Sequence, residues 1–182
     1  MTKPSMPSHW LAVDRSVESP NADERPSGAE INLLVIHNIS LPPNAFEGDF
    51  VEQLFTNRLD ANQHPYFLSI ADLRVSAHLY VQRCGRVTQF VALDRRAWHA
   101  GVSSFCGVEA CNDYSIGIEL QGADHIPYTE HQYRALERLT RAIQHSYPAI
   151  TADRIVGHSD ISPGRKTDPG DAFDWQHYLA CL

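Results

Sequence analysis

Two short apolar runs predict strands that are buried inside a sheet. Residues 31–36 read INLLVI, and a near-continuous apolar run of this length is typical of a strand covered on both faces. Farther along, Gly157 ends the apolar pair at residues 155–156, which predicts the end of a second buried strand. His37 follows the first run directly, and His158 follows Gly157. Because functional sites in open α/β sheets gather at strand ends, we expect chemistry at both histidines.

Alternation of apolar and polar positions predicts a hairpin in the middle of the chain. Residues 75–81 alternate, a turn follows at Gly85, and residues 87–91 return as a second strand. The apolar side chains predicted to share one face are Val75, Ala77, Leu79 and Val81. His78 is predicted on the opposite face, where it is either a metal ligand or part of a groove. The Trp-His pair at residues 98–99 either lines a pocket or packs.

A further strand is predicted over residues 114–120, YSIGIEL. Its apolar face is expected to comprise Tyr114, Ile116, Ile118 and Leu120. The other face carries Ser115, Gly117 and Glu119, and we expect the two small residues to leave space for a substrate beside the carboxylate. Glu119 is either paired structurally or poised as an acid/base group, and the strand pattern leaves both interpretations open.

Helical patterns accompany these strands. The clearest covers residues 129–147, where Thr129 and Gln132 have the spacing of a capping box. Its predicted buried stripe contains Tyr133, Leu136, Leu139, Thr140 and Ile143. Shorter helices are predicted over residues 49–57 and 173–182.

The chain divides into an arm and one domain. Residues 1–30 are polar and rich in proline and serine, which predicts an extended N-terminal arm that Trp10 and Leu11 anchor by packing. Residues 31–182 contain no internal repeat and no linker, so we interpret them as a single domain. With 182 residues, of which 43% are hydrophobic, the chain is long enough to bury a core.

The charge balance narrows the class of partner. With 15 basic and 22 acidic residues, the formal net charge of −7 argues against nucleic-acid binding, which requires a basic face, and gives no reason for attraction to anionic membranes. No apolar run reaches the length of about 18 residues that a membrane-spanning helix needs. The first residues, MTKPSMPSHW, lack the apolar segment of a secretory signal. We therefore expect a cytoplasmic protein whose four cysteines are reduced.

The loop of residues 154–171 concentrates chemically active side chains in a segment rich in proline and glycine. Functional groups are common on loops held by a rigid scaffold. His158 and Asp168 are both good zinc ligands, and His37 supplies a third. A catalytic zinc usually has three protein ligands and one position open to water. Alone, His37 would more readily be a core histidine, and only the combination of three candidates favours a metal.

Two further residues complete the interpretation as a hydrolase. Glu119 could take the proton of an attacking water and deliver it to a leaving amine. Lys166 stands two residues before Asp168, so both side chains point to one side if that segment is extended. Its ammonium group could stabilise the oxyanion of a tetrahedral intermediate, a contribution of about 3–4 kcal/mol in other enzymes. Together these groups indicate hydrolysis of an amide.

Five segments carry a family resemblance: LLVIHNISLPP, LRVSAHLYVQ, RAWHAGVSSF, CNDYSIGIELQG and GHSDISPGRKTDPG. They resemble the AmpD branch of the N-acetylmuramoyl-L-alanine amidases, zinc enzymes related to peptidoglycan recognition proteins. The resemblance runs from about His9 to the C-terminus and includes SPNADERP in the arm. Its most specific part is the GHSDI…RKTDPG block together with IHN, and no metal or catalytic position departs from the family pattern.

The resemblance implies an α/β fold of one domain, with a central mixed β-sheet flanked by helices, and makes residues 31–182 a zinc amidase domain. The ligands of one zinc ion would be His37, His158 and Asp168. Glu119 would be the general base, and Lys166 would stabilise the transition state. The bond cut would be the amide between the lactyl group of 1,6-anhydro-N-acetylmuramic acid and L-alanine of the stem peptide.

The resemblance also implies a setting and a substrate groove. Family members work in the cytosol on recycled cell-wall fragments, and we expect a monomer whose partner is the anhydromuropeptide substrate. Asn38, Arg74 and Arg165 match positions near the family's substrate groove, where an arginine suits the carboxylates of the stem peptide. A surface salt bridge remains an alternative for Arg74.

Two other functions stay open at this point. Some relatives bind muropeptides without turnover, but they typically lose a zinc ligand, whereas this chain keeps all three candidates. A thiol hydrolase would use Cys84 or Cys106 with a histidine, yet neither cysteine stands at a strand-to-helix turn with an obvious base. The sequence therefore favours the zinc amidase over both.

Overall fold

The computed structural model describes residues 9–182, so the first eight residues of the predicted arm lie outside it. The strands are, in chain order, β1 (Arg15–Ser16), β2 (Ala22–Asp23), β3 (Leu33–Ile39), β4 (Leu79–Val81), β5 (Val87–Gln89), β6 (Arg96–Ala97), β7 (Ser104–Phe105), β8 (Val108–Glu109), β9 (Ser115–Gln121) and β10 (Ile155–Gly157). The α-helices are α1 (Phe50–Phe55), α2 (Glu130–Ser146), α3 (His158–Ile161) and α4 (Trp175–Ala180). Short 3₁₀ helices cover Ala61–Gln63, Pro65–Ser69, Cys111–Asp113 and Ala152–Arg154.

A six-stranded mixed sheet forms the centre of the protein, in the order β1-β5-β4-β9-β3-β10. The pairs β4–β9, β9–β3, β3–β10 and β1–β5 are parallel, whereas β4–β5 is antiparallel. Two ribbons, β2–β6 and β7–β8, lie outside this sheet. The prediction of one domain with a central mixed sheet flanked by helices is therefore confirmed.

The strand predicted over residues 31–36 is β3, which continues through His37 to Ile39. The expected boundary was wrong because β3 pairs with β9 along its whole length, as far as Ile39 opposite Gln121. Backbone hydrogen bonds to a neighbouring strand are open to polar residues as well as apolar ones, so side-chain hydrophobicity does not report them. His37 consequently projects from the sheet itself, not from a loop after it.

The predicted hairpin is present as the antiparallel pair β4 and β5. Residues 75–78 lie outside the strand, however, and the single apolar face expected over residues 75–81 does not form. Leu79 and Val81 pack in the main core, whereas Ala77 packs in a second cluster beside α1. The alternating pattern predicted too long a strand because the backbone before β4 does not form a regular ladder. Its hydrogen bonds go from the Ser76 N–H to the Trp98 carbonyl, after β6, and from the His78 N–H to the Gly117 carbonyl of β9.

The helix predicted over residues 129–147 is α2, and it begins with the expected capping box. Thr129 Oγ1 accepts a hydrogen bond from the Gln132 N–H at 3.2 Å, and Gln132 Oε1 accepts one from the Thr129 N–H at 3.1 Å. The predicted stripe is buried, and Leu136 and Ile143 join the main core on the sheet. α1 and α4 lie inside the shorter predicted helices.

Residues 9–30 lie against the rest of the chain. β1 is the edge strand beside β5, β2 pairs with β6, and Leu11 packs on the main core. The Arg25 guanidinium donates to the backbone carbonyls of Leu93, Asp94, Asn112, Asp113 and Ser115. The division at residue 30 stays a prediction. Within residues 9–182, no helix combines the length and apolar character needed to cross a membrane.

Candidate active site

Three side chains from separate segments converge at the carboxyl ends of β3 and β10. His37 Nδ1 lies 2.9 Å from His158 Nδ1 and 3.1 Å from Asp168 Oδ2, and His158 Nδ1 lies 3.0 Å from the same oxygen. His37 comes from β3, His158 begins α3 directly after β10, and Asp168 lies in the loop that follows α3. These are the three residues that the sequence predicted as ligands, and their donor atoms form one candidate metal site.

The loop that carries Asp168 is held against the start of α3. The Ser159 N–H donates to the Asp168 carbonyl at 3.0 Å. Gly157 lets the loop come close, because a Cβ at this position would lie 2.8 Å from Pro169 Cδ. The glycine that ends β10 therefore also allows the carboxylate to reach the histidine.

The spacing and chemistry of the three donors fit zinc. Tetrahedral zinc with bonds of about 2.0–2.1 Å separates its ligand atoms by about 3.3 Å. The observed separations of 2.9–3.1 Å need only small outward shifts to match this value. His158 Nε2 lies 3.0 Å from the Ala100 carbonyl, which can only accept, so Nε2 carries the proton and Nδ1 presents a lone pair.

The charge states of the donors also suit a cation. Burial lowers the pKa of His37 to about 4, which leaves the imidazole neutral at pH 7, the form that binds a metal. Burial would raise the pKa of Asp168, but the adjoining His158 and His37 outweigh it and hold the pKa below its usual value. The site therefore presents a neutral imidazole at His37 and an anion at Asp168.

Glu119 stands beside this metal site. It is the register partner of His37 on the neighbouring strand β9. Its Oε2 is buried and receives no hydrogen bond from residues 9–182. Burial and the negative charge of Asp168 raise the pKa of Glu119 well above its usual value, while the positive charge of Lys166 opposes this rise. A buried carboxyl group with a raised pKa is suited to exchange protons with a bound molecule.

A cavity of about 500 Å³ contains these groups, a size that suits a small-molecule ligand. Its polar lining includes Asn38, Glu119, His158, Lys166 and Asp168. Its apolar lining includes Leu41, Tyr66, Ile70, Leu73 and Val75. The cavity thus combines a cluster of reactive groups with a wide apolar surface.

Asn38 lies at the edge of the metal site and is tied to the surrounding loops. Its amide nitrogen donates to Asp124 Oδ1 at 2.8 Å and to the Pro169 carbonyl at 3.1 Å. The Pro169 carbonyl also accepts from the Tyr128 hydroxyl at 2.8 Å. Asn38 therefore helps to hold the segment next to Asp168 while it lines the cavity.

The two arginines expected in the substrate groove do not line this cavity. Arg74 is exposed and donates to carbonyls of its own loop, and within residues 9–182 it forms no salt bridge. Arg165 is bonded to the carbonyls of Ala100 and Val102. Substrate contacts by both arginines stay predictions.

The imidazole of His99 fills the space expected above the small residues of β9. A Cβ on Gly117 would lie 2.5 Å from His99 Cγ, so the glycine makes room for a protein side chain and not for a substrate. His99 Nδ1 lies 2.9 Å from His37 Nε2, and His99 Nε2 lies 3.2 Å from Ser115 Oγ. The expectation that Ser115 and Gly117 leave space for a substrate was therefore wrong at Gly117, because the His99 ring fills that space.

His78 is a core histidine, which neither belongs to the candidate metal site nor lines the cavity. Its Nδ1 accepts from the Gly117 N–H at 3.0 Å, which leaves the proton on Nε2, facing the Arg95 carbonyl at 3.0 Å. Burial, followed by the charge of Arg25, lowers the pKa of His78 to about 3. The residue is neutral, fully buried and satisfied by backbone groups.

Neither cysteine of the thiol alternative lines this cavity. Cys84 and Cys106 are exposed, Cys111 is buried, and all four cysteines are free. The geometry therefore offers no nucleophilic thiol beside the reactive cluster.

Comparison with known proteins indicates one family of enzymes. Residues 27–171 match the family model described as N-acetylmuramoyl-L-alanine amidase. The chain is 55% identical over 168 residues to the 1,6-anhydro-N-acetylmuramyl-L-alanine amidase AmpD of Haemophilus influenzae. This alignment covers 92% of this chain and 91% of that protein.

Solved structures match as well. The crystal structure of a selenomethionine derivative of AmpD aligns with a TM-score of 0.93 at 52% identity, covering 96% of this chain and 97% of that one. A complex of the N-acetylmuramyl-L-alanine amidase AmiD from E. coli with anhydro-N-acetylmuramic acid-L-Ala-D-γ-Glu-L-Lys aligns with a TM-score of 0.62 at 30% identity. That alignment covers 87% of this chain and 60% of the AmiD chain.

Proposed function

This chain belongs to the N-acetylmuramoyl-L-alanine amidase family, and on that premise we propose that it is a zinc-dependent amidase of peptidoglycan recycling. The bond that it cuts is the amide between the lactyl group of 1,6-anhydro-N-acetylmuramic acid and L-alanine of the stem peptide. The name of the H. influenzae relative and the ligand of the AmiD complex both support this substrate class.

One observation carries the proposal. The donor atoms of His37, His158 and Asp168 lie within 3.1 Å of one another. Glu119 and Lys166 line the cavity that His158 and Asp168 also line. In this family, a module that only binds muropeptide would not need this complete set.

In the proposed mechanism, the protein residues orient the substrate and move the proton. When bound, zinc supplies Lewis-acid chemistry that polarises a carbonyl and makes water easier to deprotonate. Glu119, which lines the cavity, accepts the proton of the attacking water on its carboxylate group. The same carboxyl group then delivers this proton to the leaving nitrogen of L-alanine.

Lys166 supports the charge that develops during attack. Its side chain lines the cavity beside Asp168 and Glu119. The ammonium group stabilises the oxygen of the tetrahedral intermediate, where negative charge is greater than in the substrate. Because this contact strengthens only in the transition state, it raises the turnover rate and not merely the affinity for substrate.

The setting is part of the same proposal. We infer that the protein acts in the cytoplasm, as a monomer, on cell-wall fragments returned for recycling. Fractionation of cells and light scattering of the purified protein test these two points. An enzyme found in the membrane fraction, or found as a dimer, would contradict this proposed setting.

The proposed function is tested by metal analysis combined with a defined substrate. We expect about one zinc per chain, and mass spectrometry should detect a released peptide with a free L-alanine amine. EDTA should stop the reaction, added zinc should restore it, and iodoacetamide should have no effect. Full activity after verified removal of metal would overturn the proposal, and loss only on alkylation would favour a thiol enzyme. Binding without release would favour a recognition module.

A further inference from the structure

One loop supports both candidate histidine ligands from the side opposite the metal site. His99 Nδ1 lies 2.9 Å from His37 Nε2, and the Ala100 carbonyl lies 3.0 Å from His158 Nε2. The loop is held by Asn112, whose Oδ1 accepts from the His99 N–H at 3.1 Å and from the Ala100 N–H at 2.8 Å. Two adjacent residues therefore contact the distal nitrogens of both ligands.

The contact between His99 and His37 allows Nδ1 of His37 to be the bare nitrogen. If Nδ1 of His37 is to bind a cation, its Nε2 must carry the proton and donate it to His99 Nδ1. His99 then carries its own proton on Nε2, where Ser115 Oγ accepts it at 3.2 Å. The side chains of His37, His99 and Ser115 thus form a directed chain of two hydrogen bonds that ends on a buried hydroxyl.

We propose that His99 is a positioning residue that fixes the tautomer and ring orientation of His37 and so sets the affinity of the site for zinc. The inference rests on the proposed function, because it assumes that the site holds zinc. Groups that bind the second nitrogen of a metal-bound histidine orient the ring and make it a stronger ligand. Ala100 serves His158 in the same way through its carbonyl.

The strand beneath His99 is shaped to hold this ring. The imidazole lies on Gly117, where an added Cβ would come within 2.5–2.8 Å of three ring atoms. The ring meets His37 edge-on, with centroids 5.0 Å apart and planes at 85°. Gly117, on which the His99 ring packs, and Glu119 both belong to β9. The polar face of this strand therefore holds the positioning residue and the acid/base group close together.

A role in packing alone makes a different prediction from a positioning role. Loss of a packed ring would lower the stability of the fold but leave the affinity of a correctly folded site for zinc unchanged. Loss of the acceptor for His37 Nε2 would weaken zinc binding even in a folded protein. Zinc affinity, measured by competition with a chromogenic chelator, therefore separates the two roles without an activity assay.

The test compares two substitutions at the same position. His99→Leu keeps an apolar side chain in the space but removes the acceptor, and we expect zinc binding to weaken about 10–100-fold. His99→Asn places an amide oxygen near the position of Nδ1, so we expect it to recover much of this loss. Ser115→Ala removes only the end of the chain and should weaken binding less than His99→Leu.

Thr140→Val is the matched control. Thr140 is fully buried and its hydroxyl lies 2.6 Å from the Tyr178 hydroxyl; within residues 9–182 its side chain forms no hydrogen bond with a candidate ligand. This variant also loses one buried hydrogen bond, so it should melt at a lower temperature and bind zinc like the wild type. Melting curves and circular dichroism establish that each variant is folded before its affinity is compared.

The outcomes separate this inference from the proposed function. A wild type that binds no zinc removes the basis of both. A wild type that binds zinc, together with folded His99→Leu and Ser115→Ala variants of unchanged affinity, overturns the role of His99 alone. Cobalt substitution adds a spectroscopic check, because a changed ring orientation in His99→Leu should shift the visible bands of the bound ion, and unshifted bands would count against the inference.

Discussion

His37 and Glu119 are register partners on the adjacent parallel strands β3 and β9. Their backbones are therefore about 4.8 Å apart, and both side chains leave the same face of the sheet. A candidate ligand and a candidate acid/base group are thus spaced by the sheet's hydrogen bonds instead of by a flexible loop. This arrangement allows the two roles to be separated by mutation.

Replacing Glu119 with glutamine should slow turnover strongly and leave the metal bound. Glu119→Gln keeps the shape of the side chain but cannot accept the proton of water, so we expect the turnover rate to fall about 10²–10⁴-fold. Metal analysis should still find about one zinc per chain. Zinc loss from this variant would make Glu119 a ligand.

The same substitution should stabilise the metal-free protein in a pH-dependent way. Burial and then the negative charge of Asp168 raise the pKa of Glu119 well above its ordinary value of 4.5. At lower pH the group is protonated in both the folded and unfolded states, so Gln and Glu should then be nearly equivalent. As the pH rises above 4.5, the unfolded state gains stability by ionising first, so the wild type loses stability relative to Glu119→Gln.

Melting curves of EDTA-treated protein measure this effect. The melting temperatures should diverge as the pH rises, by about 2–4 °C for each kcal/mol of difference in the free energy of unfolding. A constant difference between the two proteins at all pH values would contradict the raised pKa.

Removing His158 should remove the metal. His158→Ala takes away one of three donor atoms that lie 2.9–3.1 Å apart, so we expect both zinc and amidase activity to be lost. Elemental analysis of the folded variant is the measurement. An unaltered zinc content would exclude His158 from the ligand set.

Removing the charge of Lys166 should slow the chemical step. For Lys166→Ala we expect a turnover rate about 10²–10³-fold lower, with zinc retained and a smaller effect on KM. Arg138→Ala, which removes an exposed cation from α2, is the control and should leave the turnover rate unchanged. A large rise in KM at unchanged turnover would indicate that Lys166 binds substrate instead.

The capping box of α2 should contribute to stability alone. Thr129→Ala removes the acceptor for the Gln132 N–H and a hydroxyl that donates to the Arg83 carbonyl at 2.6 Å. We expect a loss of about 1 kcal/mol in the free energy of unfolding, with zinc content and turnover per folded enzyme unchanged. Altered zinc affinity would show that α2 couples to the site.

Local sequence patterns determined the parts of this structure that depend on near neighbours. The capping box at Thr129 and the buried stripe of α2 were predicted because they arise from residues within one or two helical turns. The buried strand at residues 31–36 was located but cut short, since pairing with a distant strand extends β3 through His37.

The sequence also determined which residues are chemically able to hold zinc and move a proton, through residue type and family motif. Only the tertiary structure decided that His99 occupies the space over Gly117 and contacts His37, that His78 is satisfied by backbone groups, and that Arg165 bonds to the carbonyl of Ala100. These contacts join residues far apart in the chain and depend on packing in three dimensions, which no local pattern of hydrophobic and polar residues encodes.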